Sequence, residues 1–200
     1  MTDFLIATNN SHKVEEFKRI LLPLGINVLS AKEAGVDLGQ VEENGTTFAE
    51  NAKIKALSAF NISGMPCIAD DSGLQVDALN GEPGLYTARY GGENISQKER
   101  NALLLKNMEE YEGSERSARF VCSICCVLSS DTFIEVEGVC EGFIATAPSG
   151  TDGFGYDPVF LYKDGRCFGE ISGEEKDEIS HRGLALRSLK DNLQNRKDVL

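Results

Sequence analysis

Residues 68–77 read IADDSGLQVD, and the fold turns on whether this stretch is one strand or two. Apolar Cys67-Ile68-Ala69 runs into two adjacent carboxylates, then Ser72-Gly73, then apolar Leu74. Asp-Ser-Gly is good turn chemistry, so the expectation is a buried strand that ends at a turn. LQVDAL would then be a second short strand or extended piece. If one strand continues instead, Asp70 and Asp71 point to opposite faces and cannot serve one site as a pair. Which of the two would face a site is left open by alternation alone.

Outward from this stretch, the chain alternates strand-like and helix-like segments. DFLIATNN (3–10) is an apolar run closed by turn formers, a first strand. SHKVEEFKRILLPLG (11–25) places Val14, Phe17, Ile20 and Leu21 at helical spacing, with Ser11 as the expected cap and Pro23 and Gly25 as the stop. INVLSA (26–31) is a second strand, and GVDLGQVEENGTT (35–47) a polar loop. TFAENAKIKALSAFNIS (47–63) opens on a capping-box pattern, Thr47 to Glu50, ahead of an Ala-rich helix.

Beyond residue 77, GEPGLYTARYGGEN (81–94) is turn-rich, and SQKERNALLLKNMEEY (96–111) carries a second capping box, Ser96 to Glu99. ARFVCSICCVLSS and TFIEVEGVCEGFIAT have the pattern of a long hairpin. PSGTDGFGYDPVF is a Gly-rich loop entering a short strand. SGEEKDEISHRGLALRSLKDNLQ (172–194) is expected as one closing helix. The order β-α-β-α-β, then α and a β-hairpin, implies an α/β mixed sheet with helices packed on it. No repeat or linker divides the 200 residues, so a single domain over 1–200 is expected.

Composition narrows the function classes. Twenty basic against 32 acidic residues give a net charge of −12, which argues against a nonspecific nucleic-acid surface. No apolar run is long enough for a membrane span. Met1-Thr2-Asp3 lacks the basic start of a signal peptide, so a cytoplasmic protein is expected, with no nucleic-acid and no membrane partner. Of the six cysteines, Cys122 and Cys125 form one CxxC, where redox or zinc chemistry is possible. Three residues apart on a strand, they point to opposite faces. No second CxxC and no nearby His supports a metal site, and small buried hydrophobes in a reducing compartment are the expectation.

Five polar clusters fall at loops or element ends, where sites usually sit. Thr8-Asn9-Asn10-Ser11-His12-Lys13 offers hydroxyl, amide and ammonium groups near a helix N-terminus, which suits phosphate. It is not a P-loop, and an ordinary polar turn with a cap is the plain alternative. Glu42-Glu43-Asn44 is a loop acid pair, most often merely solvated. Asp70-Asp71 is the third cluster. Gly153-Phe154-Gly155-Tyr156-Asp157-Pro158 lets a ligand approach the backbone beside two aromatic rings. Lys176, His181 and Arg182 bring three potential cations near the last helix. Together they fit one chemistry: lysines and Arg182 for phosphates, Glu43 with one aspartate for Mg²⁺, and Phe154, Tyr156 and His181 for a base. Mg²⁺ is usually held by one or two carboxylates plus substrate phosphates.

Five motifs in this order, ATNNSHKVEEF (7–17), EENGTTFAENAKIKA (42–56), IADDSGLQVDALNGEPGLYTARYGG (68–92), GFGYDPVF (153–160) and EKDEISHRGLAL (175–186), resemble the inosine triphosphate pyrophosphatase (HAM1-like, RdgB-like) family essentially end to end. The resemblance implies an elongated mixed β-sheet with flanking helices, two lobes around a central cleft, and a homodimer. It implies Mg²⁺-dependent hydrolysis of the deaminated purine nucleoside triphosphates ITP, dITP and XTP to the monophosphate and pyrophosphate, which cleanses the nucleotide pool. Carried over by motif, Thr8, Asn9, Asn10, Ser11, His12 and Lys13 would line the triphosphate. Glu43 and Asp71 would ligate Mg²⁺, Asp71 would also accept the proton of the attacking water, and Ser72 would touch substrate. Lys55 would be a further phosphate-side lysine. Phe154, Gly155, Tyr156, Asp157, Lys176, His181 and Arg182 would hold the nucleotide, mainly at its base. Asp70 would be left to brace the turn. Two departures stand out: His12 where the family commonly has Gly, and Asn44 where it often has Thr. Maf-like pyrophosphatases acting on other nucleotides, and a catalytically silent nucleotide binder, are the competing classes.

Overall fold

In the computed structural model, residues 2–195 are described, and of the span 1–200 expected as one domain, residues 1 and 196–200 lie outside them. The strands are β1 (Thr2–Ile6), β2 (Ile26–Ser30), β3 (Cys67–Val76), β4 (Ser117–Ser129), β5 (Thr132–Ile144) and β6 (Phe160–Tyr162). They form one sheet in the order β2-β1-β3-β4-β5-β6. The helices are α1 (Ser11–Leu21), α2 (Phe48–Ser63), α3 (Gln97–Asn107), α4 (Gly173–Ile179) and α5 (His181–Gln194). The mixed α/β sheet is as expected. β1 pairs in parallel with both β2 and β3, so α1 and α2 serve as crossovers to opposite sides of β1. β4 and β5 are neighbours joined by only Ser130 and Asp131, a connection that only an antiparallel pair permits. β6 pairs antiparallel with β5.

Two expectations are corrected. The 68–77 stretch does not turn: β3 runs unbroken from Cys67 to Val76, through both aspartates. Backbone pairing outweighs the local turn preference of Asp-Ser-Gly. The closing segment is two helices and not one, because Ser180 adopts an extended backbone (ψ 159°) between α4 and α5. The capping box at Ser96 and Glu99 is formed. At α2 only half of the box forms: Thr47 accepts from the Glu50 N–H, while the Glu50 carboxylate accepts from Thr46. Among the described residues, no helix is long and apolar enough to cross a membrane.

The chain divides into two compact units, each described by itself. The first comprises the described parts of Met1–Asp71, Cys122–Gly138 and His181–Leu200. Its core lies on both faces of the sheet, and strand alternation sorts the residues cleanly. Phe4, Ile6, Ile68, Cys122, Ile124 and Cys126 pack with Phe17 and Leu21 of α1 and Leu186, Leu189 and Leu193 of α5. Leu5, Ala7, Cys67, Ala69, Cys125 and Val127 pack instead against Ala52, Ala56 and Ala59 of α2. Cys122 and Cys125 thus lie on opposite faces, as alternation requires. All six cysteines are buried and free, and burial pushes the Cys125 and Cys140 thiols up to about 12. Such thiols are inert at neutral pH.

Gly138 marks a close approach of β5 and α5. A Cβ there would lie 2.2 Å from the His181 carbonyl oxygen and 2.5 Å from the Ala185 nitrogen, both rigid backbone. Gly138→Ala is expected to lower stability by roughly 1–3 kcal/mol through overpacking, read as a shift in the urea midpoint.

The second unit comprises Ser72–Val121 and Val139–Ser180. Leu74, Val76, Leu104, Met108, Phe120, Ile144, Phe160 and Phe168 form its core, with the Phe120 and Phe160 rings 4.6 Å apart. Arg116 ties the unit internally, donating to the carbonyls of Ile144, Met108, Tyr111 and Ala145.

Candidate functional site

The parity of β3 decides how the two aspartates are used. Ile68 faces α1 and α5, so Asp70, two residues on, faces the same side. Ala69 faces α2, so Asp71 does too. β1 ends at Ile6, which is level with Ile68, so both aspartates lie just past its carboxyl end. The chain leaves that end through Ala7 to Asn10. Because the α1 crossover carries the chain from β1 to β2 on one side while β3 lies on the other, the carboxyl ends of β1 and β3 flank a topological switch point, where ligands of α/β sheets bind.

On the α1/α5 side, Asp70 is fully buried within a network of charges. Lys13 Nζ lies 2.8 Å from Asp70 Oδ2. Arg182 donates through Nε and an Nη to the same oxygen at 3.3 and 3.2 Å, and through its other Nη to Glu16 at 2.6 Å. Burial by itself would raise the Asp70 carboxyl, but Lys13 and Arg182 more than reverse it and hold the group well below the usual carboxylate range. Asp70 therefore braces no turn. It is the counter-ion that fixes Lys13. The Arg182 side chain, 2% exposed, pairs with two buried carboxylates, Asp70 and Glu16. His181, at the start of α5, is also buried.

On the α2 side, Asp71 is only partly buried. Lys55 Nζ lies 3.2 Å from Asp71 Oδ1 and 2.7 Å from Glu43 Oε2, so two carboxylates converge on one ammonium. Burial pushes the Asp71 carboxyl above the usual range, against the pull of Lys55 and Lys13. The Lys55 ammonium is pulled down by burial, yet Asp71 and Glu43 hold it above its ordinary value. Asp71 also accepts from Asn51 Nδ2 at 3.3 Å. A cavity of about 380 Å³ adjoins these groups, lined by Ala7, Thr8, Asn9, Val41, Glu43 and Lys55 among others.

The Thr8–Lys13 turn is arranged differently from expectation. Asn10, not Ser11, caps α1, because the Asn10 side chain already accepts from the His12 and Lys13 N–H groups. Thr8 Oγ1 accepts from the Asn10 N–H. Asn9, Ser11 and His12 are exposed. Lys13, Lys55, Glu43, Asp71, Thr8 and Asn9 are thus gathered around the carboxyl ends of β1 and mid-β3.

The remaining expected residues belong to the second unit. Ser72 is half-buried directly after Asp71 in β3. Lys176 is buried, 2.6 Å from Asp157 Oδ2, and its Nζ stands 4.6 Å over the Phe154 ring. Asp157 also accepts from the Phe154 N–H. Tyr156 is core: its ring is buried and its hydroxyl donates to the Thr87 carbonyl, so it is not exposed to pack on a planar ligand. Gly155 accepts from Asn101 through its carbonyl. Two residues escaped sequence inspection, Asn51 and Glu16. Both are buried polar groups on otherwise amphipathic helices, and polar groups in such positions are buried only when partnered.

Two carboxylates converging on a lysine ammonium, with a second lysine and a capped helix start at the carboxyl end of a switch-point strand, form an α/β site whose groups suit an anionic ligand. Comparison with known proteins narrows this. The Ham1 family model matches residues 4–192, and the chain belongs to that family. It is 46% identical over 202 residues to the dITP/XTP pyrophosphatase of Clostridium perfringens, covering 96% of this chain and 98% of that protein. It is 47% identical to the dITP/XTP pyrophosphatase of Bacillus licheniformis, covering 94% and 96%. The solved structure of a HAM1 protein from Coxiella burnetii matches with a TM-score of 0.87 at 39% identity, covering 98% of this chain and all of that one.

Proposed function

We propose that this chain hydrolyses dITP and XTP, with ITP as a further substrate, to the monophosphate and pyrophosphate, with Mg²⁺ as cofactor. As a Ham1 family member it is a nucleoside triphosphate pyrophosphatase, a hydrolase. The observation that carries the chemistry is the convergence of Glu43 and Asp71 on a single positive charge, the Lys55 ammonium. These residues fit Mg²⁺. Two carboxylates completed by substrate phosphates and water is the usual Mg²⁺ arrangement. When bound there, Mg²⁺ supplies charge neutralisation on the phosphates and acidifies water.

The chain's own residues do the rest. Asp71, with its carboxyl raised by burial, is the proton acceptor for the attacking water. Lys13 has three donors; one meets Asp70 and the others are left for phosphate oxygens. Lys55 holds the two carboxylates together and is a second phosphate-side ammonium. Arg182 and Glu16 keep Asp70, and through it Lys13, in place.

Preference for an O6 base has a simple basis. A donor set toward O6 leaves buried groups unpaired when it meets the adenine amine, at a cost of roughly 1–3 kcal/mol. A substrate panel tests this. XTP and dITP are expected to exceed ATP in kcat/KM by about tenfold or more. Equal values for XTP and ATP would refute the substrate assignment, and a preference for pyrimidine nucleotides would point to the Maf-like class.

A further inference from the structure

Building on the proposed function, we propose that Asn51 is a positioning residue that sets the geometry of the two metal-side carboxylates. Asn51 sits in α2, is 5% exposed, and uses both ends of its amide. Its Oδ1 accepts from the Gly45 N–H at 2.8 Å. A backbone N–H can only donate, so the amide oxygen must face Gly45, and the NH₂ group must face Asp71. The Nδ2 to Asp71 Oδ2 distance is 3.3 Å.

The consequence is a division of labour within one carboxylate. Oδ2 of Asp71 is turned to the Asn51 amide, while Oδ1 is the oxygen that meets the positive charge on Lys55 at 3.2 Å. The same amide pins the loop that carries Glu43, because Gly45 lies two residues beyond it. Glycine is required there: a Cβ at position 45 would stand 2.6 Å from Asn51 Oδ1 and 2.7 Å from Glu50 Cβ. One side chain on a rigid helix thus fixes Asp71 directly and Glu43 through the loop. Groups that orient metal ligands in this way typically contribute 10–100-fold in affinity or activity.

The test uses the full-length protein and two variants. Asn51→Asp keeps an acceptor for the Gly45 N–H and replaces the donor toward Asp71 with a carboxylate, which removes that bond and sets a like charge beside Asp71, so a role confined to tying down the loop would survive it. Asn51→Ala removes both bonds, with Asn51→Ser in its place should the alanine variant not fold. Pyrophosphate release from XTP gives kcat and KM, and Mn²⁺ without nucleotide, followed by electron paramagnetic resonance, reads the carboxylates directly. Expected is a roughly 10–100-fold loss of kcat in both variants, with both folded by circular dichroism and little change in KM. Asn51→Ala is expected to bind Mn²⁺ about tenfold more weakly than wild type. Wild-type kcat in Asn51→Asp, or unchanged Mn²⁺ affinity in Asn51→Ala, overturns the proposal, as does a wild-type protein that holds no Mn²⁺ at millimolar concentration. A wild-type protein that binds Mn²⁺ but releases no pyrophosphate from XTP sinks the substrate assignment instead, and the Mn²⁺ comparison then decides the role of Asn51.

Discussion

Asp71→Asn is expected to fold as wild type does and to lose roughly 10²–10⁴-fold in kcat for XTP, the contribution of a positioned general base. The asparagine has the shape of the aspartate and leaves the Lys55–Glu43 pair intact. It removes the proposed proton acceptor and one of the two carboxylate charges facing Lys55. KM is expected to move far less than kcat, since the loss falls on an interaction made in the transition state. Glu43→Gln offers the contrast: its deficit is expected to shrink as Mg²⁺ is raised, because the role proposed for Glu43 is to hold the ion and not to take the proton. Both variants are read by steady-state pyrophosphate release over a range of Mg²⁺ concentrations. An Asp71→Asn enzyme with near-wild-type kcat would remove Asp71 from the chemistry.

The second large effect is on stability. Arg182→Met removes the guanidinium that the buried carboxylates Asp70 and Glu16 share, leaving Asp70 with Lys13. Breaking a buried pair on one side costs about 3–5 kcal/mol, which for a chain of this size lowers the melting temperature by on the order of 10 °C. The same network has a pH signature. The Asp70 carboxyl is held below its ordinary value of 3.8, so in the folded state it stays ionised where the unfolded chain would protonate it. Its stabilisation is therefore complete above about pH 4 and drains away as the pH falls below that toward the folded value. Other carboxylates share this trend, so the comparison of interest is with Asp70→Asn. Scanning calorimetry between about pH 5 and 3 should show a steeper loss for the wild type than for the variant. Parallel pH profiles would show that Lys13 and Arg182 do not depress the Asp70 carboxyl.

Much of this was legible in the residues. The apolar run of β1 and the helical spacing of α1 announced both elements, and the parity rule already separated Asp70 from Asp71. What alternation could not supply was the direction of each, because that depends on which helix covers which face. Once α2 is known to pack on the Ala69 side and α1 with α5 on the Ile68 side, both contacts follow. Asp-Ser-Gly misled because turn preference is local and strand pairing is not. The break at Ser180 was hidden by polar residues compatible with one continuous helix. The partners of the cations near the last helix were hidden for another reason. Sequence displays Lys176 and Arg182 as charges, but the carboxylates that meet them, Asp157, Asp70 and Glu16, lie 19, 112 and 166 positions away. Asn51 had a fainter signal. Asparagine is a weak helix former, and one inside an Ala-rich helix needs a reason.

The pairing of Glu43 and Asp71 around one positive charge is the centre of the proposed mechanism, and the products of XTP hydrolysis test it most directly. Purified protein is incubated with XTP in the presence of Mg²⁺ or of excess chelator, and the phosphorus-containing products are identified. The expected result is XMP and pyrophosphate in equal amounts, formed with Mg²⁺ and abolished without it. Release of orthophosphate, or undiminished turnover under chelator, would contradict it.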